Sequence, residues 1–199
     1  MIVVVDYKAG NLYNVGNALA YLNTNFVFSG DPEVISRAQK VILPGVGSAR
    51  AAMQSLTDQR LVEVLTKLQV PFLGICLGLQ LLFEKSEEDD TPCLGLLPGT
   101  IRKLDSTVVK VPHIGWNQVV QGSRKSNASV LFKKVPDGSF FYFVHSYCAP
   151  VADEATGRTQ YGKWFGSAVS RDNFWGVQFH PERSGDVGLR VLKNFLEAG

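Results

Sequence analysis

Short apolar runs alternate with helix-spaced apolar positions along the first 80 residues of the chain. Apolar residues cluster at 2–5, 26–28, 41–43 and 71–75, which predicts four buried strands. Between these runs, apolar residues recur at intervals of three and four, which predicts amphipathic helices. The helical positions are Leu12, Val15, Leu19 and Leu22; Ala49, Ala52, Met53 and Leu56; and Leu61, Val64, Leu65 and Leu68. Alternating strands and helices are typical of a mostly parallel sheet with helices on both faces.

The pattern changes near residue 100. Short strand-like runs follow at 100–104, 117–120, 129–132, 140–144, 167–170 and 174–179, with turns predicted at 121–123 and 136–138. A final helix is predicted from Val191, Leu192, Phe195 and Leu196. No internal repeat or low-complexity linker interrupts the chain. We therefore expect one α/β domain over residues 1–199, with a central mostly parallel or mixed sheet flanked by helices and a smaller antiparallel sheet portion.

Composition excludes several classes of function. The 199 residues are 45% hydrophobic and 19% charged, as in a globular protein with a substantial core. The 20 basic and 18 acidic residues form no basic stripe for nucleic acid, and the acidic run at 87–90 is interpreted as a solvated loop. No apolar segment approaches the roughly 20 residues that span a bilayer, and no signal peptide precedes the first strand. These features predict a cytoplasmic protein, although a plastid protein without its transit peptide would look the same.

The cysteine pattern bears on redox state and metal binding. Cys76, Cys93 and Cys148 are odd in number and widely spaced. This spacing favours neither a disulfide framework nor a zinc site. We expect free thiols in a reducing compartment, and no metal or other cofactor.

The segment GICLG at 74–78 is the most informative stretch of the chain. It joins the strand at 71–75 to a helix predicted from Leu79, Leu82 and Phe83. A sharp strand-to-helix turn strains its apex residue, and flanking glycines make such a turn sterically possible. The apex is Cys76, whose thiol would lie at a helix N-terminus, where the dipole favours thiolate. The alternative is a buried structural cysteine.

A cysteine nucleophile needs a base, and the base needs an orienting group. His180 follows the strand at 174–179, and Glu182 stands two residues later, after Pro181. Residues i and i+2 of an extended segment point the same way, so we expect Glu182 to orient His180. Taken alone, His180 could cap a loop and Glu182 could be a solvated charge. Together with Cys76, they predict a catalytic set.

A third motif, PGVG at 44–47, follows the strand at 41–43. Acyl transfer needs backbone N–H groups that stabilise the developing oxyanion. Elbow enzymes take one from the residue after the nucleophile and one from a neighbouring loop, which here predicts Leu77 and Val46. A plain Pro-Gly turn is the alternative. The three motifs should meet at one sheet edge, because ligands of open α/β sheets lie beyond the carboxyl ends of the strands.

These motifs carry a resemblance to a known family. GICLG, the HPE segment at 180–182 and PGVG resemble the class I, triad-type glutamine amidotransferases. DYKAGN at 6–11, the continuation of the elbow to residue 88, PHIGWN at 112–117 and FYFVHSY at 141–147 are similar to the glutaminase subunits of imidazole glycerol phosphate synthase. The similarity covers essentially the whole chain. Arg183 is a departure, since the family often has Lys there; Arg keeps the charge but not the shape.

The resemblance implies further roles. It implies that the α-amino and α-carboxylate groups of glutamine are held by Gly47, Gln80, Ser146 and Tyr147. It also implies that ammonia passes to a separate (β/α)8-barrel cyclase subunit in a heterodimer of histidine biosynthesis. Residues that match family positions at or near that interface are Asn11, Trp116, Tyr142 and Arg183. His113 and His145 are expected to be structural or interface residues, because neither has a carboxylate at i+2.

Three other functions remain open at this point. The chain could be the glutaminase of another synthase, of the anthranilate or aminodeoxychorismate type. It could be a cysteine peptidase or hydrolase on a related elbow fold. It could also be a non-catalytic binding subunit that has kept the fold, although the intact set of cysteine, histidine and glutamate argues against decay.

Overall fold

The computed structural model describes residues 1–8, 11–122 and 130–198. Its strands are β1 Ile2–Val5, β2 Phe26–Ser29, β3 Lys40–Gly45, β4 Phe72–Cys76, β5 Phe83–Ser86, β6 Thr91–Pro92, β7 Leu97–Lys103, β8 His113–Gln121, β9 Ser139–His145, β10 Tyr147–Cys148, β11 Ala155–Tyr161, β12 Lys163–Arg171 and β13 Phe174–Val177. Its α-helices are α1 Leu12–Tyr21, α2 Pro32–Ser36, α3 Ala49–Asp58, α4 Leu61–Thr66, α5 Leu77–Gln80 and α6 Gly185–Glu197. Short 3-10 helices cover Glu88–Asp90 and Pro181–Arg183.

Within the described residues, nine strands form the main sheet in the order β2-β1-β3-β4-β13-β12-β11-β8-β9. The strands from β2 to β13 in this order pair in parallel, and those from β13 to β9 pair antiparallel. The carboxyl ends of β3, β4 and β13 therefore meet at one edge. The expected α/β class, with a mixed sheet flanked by helices and a second, smaller sheet, is confirmed.

The smaller sheet has the order β10-β7-β5-β6. Its outer pairs are antiparallel, but β5 and β7 run parallel, so this sheet is mixed rather than wholly antiparallel. The predicted antiparallel strands beyond residue 110 instead extend the main sheet.

The core lies on both faces of the main sheet, as the alternation within β1 shows. Val3 and Val5 pack with α2, α3 and α4 on one face, while Val4 packs with α1 and α6 on the other. All three valines are fully buried. Burial of each such side chain is worth about 1.5–3 kcal/mol relative to exposure, so packing on both faces stabilises the sheet.

Several elements differ from the sequence-based expectations. The helix predicted after the elbow ends at Gln80, and residues 83–86 form β5 instead. Residues 79, 81, 82 and 83 are all buried, and a continuous apolar run does not distinguish helix from buried strand. The strand predicted at 129–132 begins outside the described residues, and residues 131–134 form a turn. The elements α2, β5, β6, β10 and β11 were not predicted.

Candidate active site

Cys76 lies at the apex of the turn between β4 and α5. Its backbone has φ 55 and ψ −108, in the left-handed half of conformational space that non-glycine residues rarely adopt. The neighbouring glycines are needed for close packing rather than for their own dihedrals. A Cβ at Gly78 would overlap the carbonyl oxygen of Leu43, and one at Gly74 would lie 2.5 Å from the Gly78 carbonyl oxygen. Because α5 is only one turn long, its dipole is smaller than the predicted helix would have supplied.

His180 and Glu182 form a buried pair beside this turn. Nδ1 of His180 donates to Oε1 of Glu182 at 2.8 Å, and the two side chains are 4% and 1% exposed. An extended backbone was expected between them, but Pro181 starts a 3-10 helix. The tight turn, rather than strand alternation, brings the carboxylate to the imidazole.

The charge state of His180 depends on both neighbours. Burial by itself lowers the pKa of His180, but the proximity of Cys76 and the hydrogen bond and charge of Glu182 outweigh it and raise that pKa to about 10. Nε2 of His180 and Oε2 of Glu182 are buried and make no hydrogen bond of normal geometry to the described residues. Nε2 therefore remains available for Cys76 and a substrate, and an ionised Cys76 would stabilise the imidazolium.

Backbone hydrogen bonds fix His180 against β9. Its N–H donates to the carbonyl of Tyr142 at 2.9 Å. Oγ of Ser184 donates to the His180 carbonyl at 2.6 Å and accepts from the Tyr142 N–H at 3.0 Å. Two of these bonds join the segment that carries the imidazole to β9, and the third, from Ser184 to the His180 carbonyl, lies within that segment.

A cavity of about 250 Å³ opens above Cys76. Its lining residues are Val46, Gly47, Cys76, Leu77, Gln80, Glu88, Pro112, Val144, His145, Ser146 and Tyr147. This set includes each residue predicted for the oxyanion hole and for glutamine binding. A larger cavity, about 610 Å³, lies against Lys133 and Asn194 and has neither a cysteine nor a histidine among its described lining residues.

The PGVG turn borders the cavity at the end of β3. Gly45 pairs in register with Cys76, and a Cβ at Gly45 would lie 2.8 Å from both Leu77 Cβ and Tyr7 Oη. Gly47 has φ +93 and open space around it, and Val46 is 42% exposed. The turn is therefore tightly packed at Gly45 and has free space on the Cβ side of Gly47.

Two polar residues at the site were missed by the sequence argument. Gln178 is fully buried; its Nε2 donates to Cys76 Sγ at 3.7 Å, and its Oε1 accepts from Gln80 Nε2 at 3.1 Å. A polar glutamine inside the otherwise apolar run FWGVQF is the sequence feature that could have identified Gln178 as a residue of the site. Glu88 belongs to the acidic run interpreted as a solvated loop, but that interpretation is wrong for this residue. Its Oε2 accepts from the Ala49 N–H at 2.6 Å, at the start of α3.

Three of the predicted interface residues lie together on the surface. The guanidinium of Arg183 lies 4.4 Å from the ring centre of Tyr142, and the Trp116 ring lies 6.2 Å from it. Trp116 is 55% exposed. Asn11 caps α1, its Oδ1 accepting from the Asn14 N–H at 3.4 Å, and α1 packs against the 3-10 helix that contains Arg183.

The other chemical expectations concern thiols, metals and membranes. Cys93 and Cys148 are free thiols whose pKa values burial raises to about 11 and about 12, so neither is a competing nucleophile. Among residues 1–8, 11–122 and 130–198, no group of three His, Cys, Asp or Glu side chains could hold a metal ion. No helix in the same ranges has the length and apolar character needed to cross a bilayer.

Comparison with known proteins first defines the class. The family model for class-I glutamine amidotransferases matches residues 3–198. A crystal structure titled glutamine amidotransferase superposes with a TM-score of 0.76 at 16% identity, covering 99% of this chain and 98% of that one. The PurLQS structure from Thermotoga maritima gives a TM-score of 0.71 at 19% identity, covering 98% and 97%. At such identities these structures support the fold alone.

Sequence relatives then specify the family within this class. Imidazole glycerol phosphate synthase subunit HisH of Yersinia pestis is 43% identical over 197 residues, 98% of each chain. The HisH subunit of Chloroflexus aurantiacus is 48% identical over 202 residues, 98% of this chain and 95% of that one. The chain therefore belongs to the HisH family of class-I glutamine amidotransferases, whose members are named as subunits of a synthase.

Proposed function

We propose that this protein hydrolyses glutamine to glutamate and ammonia as the glutaminase subunit of imidazole glycerol phosphate synthase. The observation that carries the proposal is the hydrogen bond of His180 Nδ1 to Glu182 Oε1 at 2.8 Å, at the sheet edge where parallel pairing of β13 with β4 also places Cys76. A nucleophile, a base and an orienting group at the edge of one cavity are the requirements of thiol-based acyl transfer. Membership of the HisH family supports glutamine as the substrate and histidine biosynthesis as the pathway.

The reaction begins at sulfur. The Cys76 thiolate attacks the side-chain amide carbon of glutamine, a C–S bond forms, and negative charge collects on the former carbonyl oxygen. The His180 imidazolium gives its proton to the departing nitrogen, the C–N bond breaks, and ammonia leaves a γ-glutamyl thioester. Neutral His180 then takes a proton from water, and the resulting hydroxide attacks the thioester. The C–S bond breaks, which releases glutamate and restores the thiolate and the imidazolium.

The oxyanion is stabilised by backbone N–H groups of Leu77 and Val46. Leu77 begins α5 directly after the nucleophile, and Val46 lies at the exposed end of β3 beside the same cavity. Loss of one such donor typically costs about 10²–10³ in rate. The open space around Gly47 supports it as the pivot when the turn moves its N–H groups toward the oxyanion.

The rest of the cavity binds the amino-acid end of glutamine. Gly47, Gln80, Ser146 and Tyr147 hold the α-amino and α-carboxylate groups. Glu88 is the carboxylate among the lining residues, so it is suited to the α-ammonium group. A volume of about 250 Å³ is on the scale of a single small amino acid.

Ammonia released to water at neutral pH is mostly protonated and no longer nucleophilic, so it must pass directly to an acceptor site. The acceptor is a separate (β/α)8-barrel cyclase subunit that forms imidazole glycerol phosphate and aminoimidazole carboxamide ribotide. The heterodimer forms in the cytoplasm through the surface of Asn11, Trp116, Tyr142 and Arg183. Trp116 is exposed, and Arg183 lies over the ring of the half-buried Tyr142; Trp, Tyr and Arg are residues favoured at interface anchors.

The Cys76→Ser variant tests the proposal in the reconstituted complex. We expect it to abolish synthesis of imidazole glycerol phosphate from glutamine and to leave synthesis from added ammonium salt within about twofold of wild type, because the cyclase site is untouched. The Cys148→Ser variant is the matched control and should retain both activities. Glutamine-dependent synthesis that survives the Cys76 substitution would show that the nucleophile is misassigned.

A further inference from the structure

Two histidines that the mechanism does not use form a buried pair behind the cavity. Nδ1 of His113 lies 3.0 Å from Nε2 of His145. The two residues are 3% and 5% exposed, and His145 also lines the cavity above Cys76. They lie 32 positions apart in sequence, but they are direct cross-strand neighbours of β8 and β9.

The hydrogen bonds of this pair run in one direction. Nδ1 of His145 lies 2.8 Å from the carbonyl oxygen of Tyr147, which can only accept, so this Nδ1 carries the proton. Nε2 of a neutral His145 is then an acceptor, and Nδ1 of His113 must donate to it. Nε2 of His113 in turn accepts from Nδ2 of Asn117 at 3.4 Å. The tautomers of both rings are thereby inferred from one acceptor-only group.

The same carbonyl links the pair to the glutamine-binding residues. Tyr147 O also accepts from Nε2 of Gln80 at 2.9 Å. The second N–H of Gln80 donates to Gln178, which itself contacts Cys76 Sγ. With both N–H groups engaged, the Gln80 amide cannot rotate without breaking two hydrogen bonds, and its Oε1 remains the group free to accept from a ligand.

Protonation of the pair would reverse this arrangement, because an imidazolium would place two N–H donors 3.0 Å apart. Burial prevents it at neutral pH. Burial lowers the pKa of His113 to about 4, and burial together with the nearby His113 and His180 lowers that of His145 to about 3. Packing also holds the rings in place, since Tyr161 stacks on His113 with ring centres 4.0 Å apart.

We propose that His145, supported by His113, is a positioning residue for glutamine binding: it fixes the Tyr147 carbonyl and, through it, the orientation of the Gln80 amide. This inference rests on the proposed function, because it takes Gln80 as a group that contacts glutamine. His145 itself takes no proton from the substrate and forms no bond with it.

The test compares three variants in the complex with the synthase partner. His145→Phe preserves ring size and removes the donor, and we expect the KM for glutamine to rise about tenfold with kcat within about twofold, as for loss of one buried hydrogen bond. His145→Asn places an N–H near the position of Nδ1 and should restore KM to within about threefold. Phe165→Leu disturbs the packing beside His145, whose ring centre lies 5.1 Å away, without touching a hydrogen bond, and should leave KM unchanged.

A spectroscopic measurement tests the inferred tautomers without reference to activity. Nitrogen-15 NMR of the full-length chain at pH 7 should show both His113 and His145 neutral and protonated at Nδ1. An Nε2–H tautomer at His145, or equal KM increases in His145→Phe and Phe165→Leu, would overturn the inference, because packing alone would then account for the effect. So would a wild-type KM in His145→Phe. A wild-type complex that releases no ammonia from glutamine would instead contradict the proposed function itself.

Discussion

The substitution Glu182→Gln examines the electrostatic basis of the site most directly. Oε1 of Glu182 accepts from His180 Nδ1 at 2.8 Å, and the glutamate side chain is 1% exposed. Glutamine preserves the size of the side chain and can still accept through its amide oxygen, but it removes the negative charge. The variant therefore separates the charge of the orienting group from its shape.

The expected magnitude follows from the strength of that hydrogen bond. A hydrogen bond to a charged group contributes about 1.5–3 kcal/mol. This is roughly 1 kcal/mol more than a neutral hydrogen bond of the same geometry contributes, and the difference reaches about 2 kcal/mol when both partners are buried. Loss of about 1–2 kcal/mol of imidazolium stabilisation would lower the pKa of His180 by about 0.7–1.5 pH units from its value of about 10. In the proposed step in which neutral His180 takes a proton from water, the imidazolium forms, so the same loss there reduces kcat about 5- to 30-fold.

The pH dependence of stability has a definite sign. Because the pKa of His180 is raised from 6.5 to about 10 in the folded protein, the imidazolium stabilises the fold fully below pH 6.5, and this contribution is lost as pH rises toward 10. In Glu182→Gln the loss should be complete at a lower pH. Denaturant unfolding between pH 7 and 10 would measure this difference directly.

The assay is glutaminase turnover in the complex at pH 7.5, together with an NMR titration of His180. Glu197→Gln is the matched control, since Glu197 is an exposed carboxylate 3.9 Å from Lys193 and lies outside the cavity. It should change neither kcat nor the His180 titration. If Glu182→Gln retains wild-type kcat and an unaltered His180 pKa, the charge of Glu182 has no part in the reaction and the reasoning fails.

Two further predictions concern the fold around the site. Gly78→Ala would drive a Cβ into the Leu43 carbonyl of β3, a strand paired on both sides, and should destabilise the protein by about 1–3 kcal/mol. A Cβ at Gly95 would meet no atom within 4 Å, so Gly95→Ala should cost about 1–2 kcal/mol from its φ of +68 alone. A larger loss of stability for Gly95→Ala than for Gly78→Ala in thermal unfolding would contradict the packing argument. Acidification should also destabilise the fold, because the depressed pKa values of His113 and His145, about 4 and about 3, make the unfolded chain bind more protons below pH 6.5. The expected loss of unfolding free energy between pH 7 and 4.5 is on the order of 2 kcal/mol per histidine. When stability is measured by urea unfolding at several pH values, the free energy of unfolding of His113→Phe should fall less steeply with decreasing pH than that of wild type. An equally steep fall in both proteins would show that other groups dominate.

Local signals in the sequence located much of this site. Cys76, the PGVG turn and His180 each stand at the end of an apolar run, so strand ends could be predicted without knowledge of the sheet order. The helix after Cys76 could not be limited to one turn, because Leu79, Leu82 and Phe83 fit the spacing of a helix and also a buried turn followed by a strand.

Residues that depend on strand pairing were not predictable in this way. Gln178 contacts Cys76 because β13 pairs with β4 in a register that aligns Val177 with Ile75, 102 positions apart in sequence. His113 meets His145 because β8 and β9 align them across an antiparallel pair. Neither histidine has a carboxylate at i+2, and local spacing does not reveal that the partner of each is a histidine on the neighbouring strand.

The candidate site depends on one feature of the sheet, the position of β13 at the junction of its parallel and antiparallel halves. β13 runs parallel to β4, so the residues that follow Val177 emerge at the same edge as Cys76. An antiparallel β13 in the same place would carry His180 and Glu182 to the opposite edge, at least the length of a four-residue strand away, or roughly 13 Å at 3.3 Å per residue. On its other side β13 pairs antiparallel with β12, which allows the chain to return through β11, β8 and β9 and to bring Tyr142 onto the His180 backbone. The parallel side thus sets Cys76 and His180 on one edge, and the antiparallel side supplies the residues that hold His180 in place.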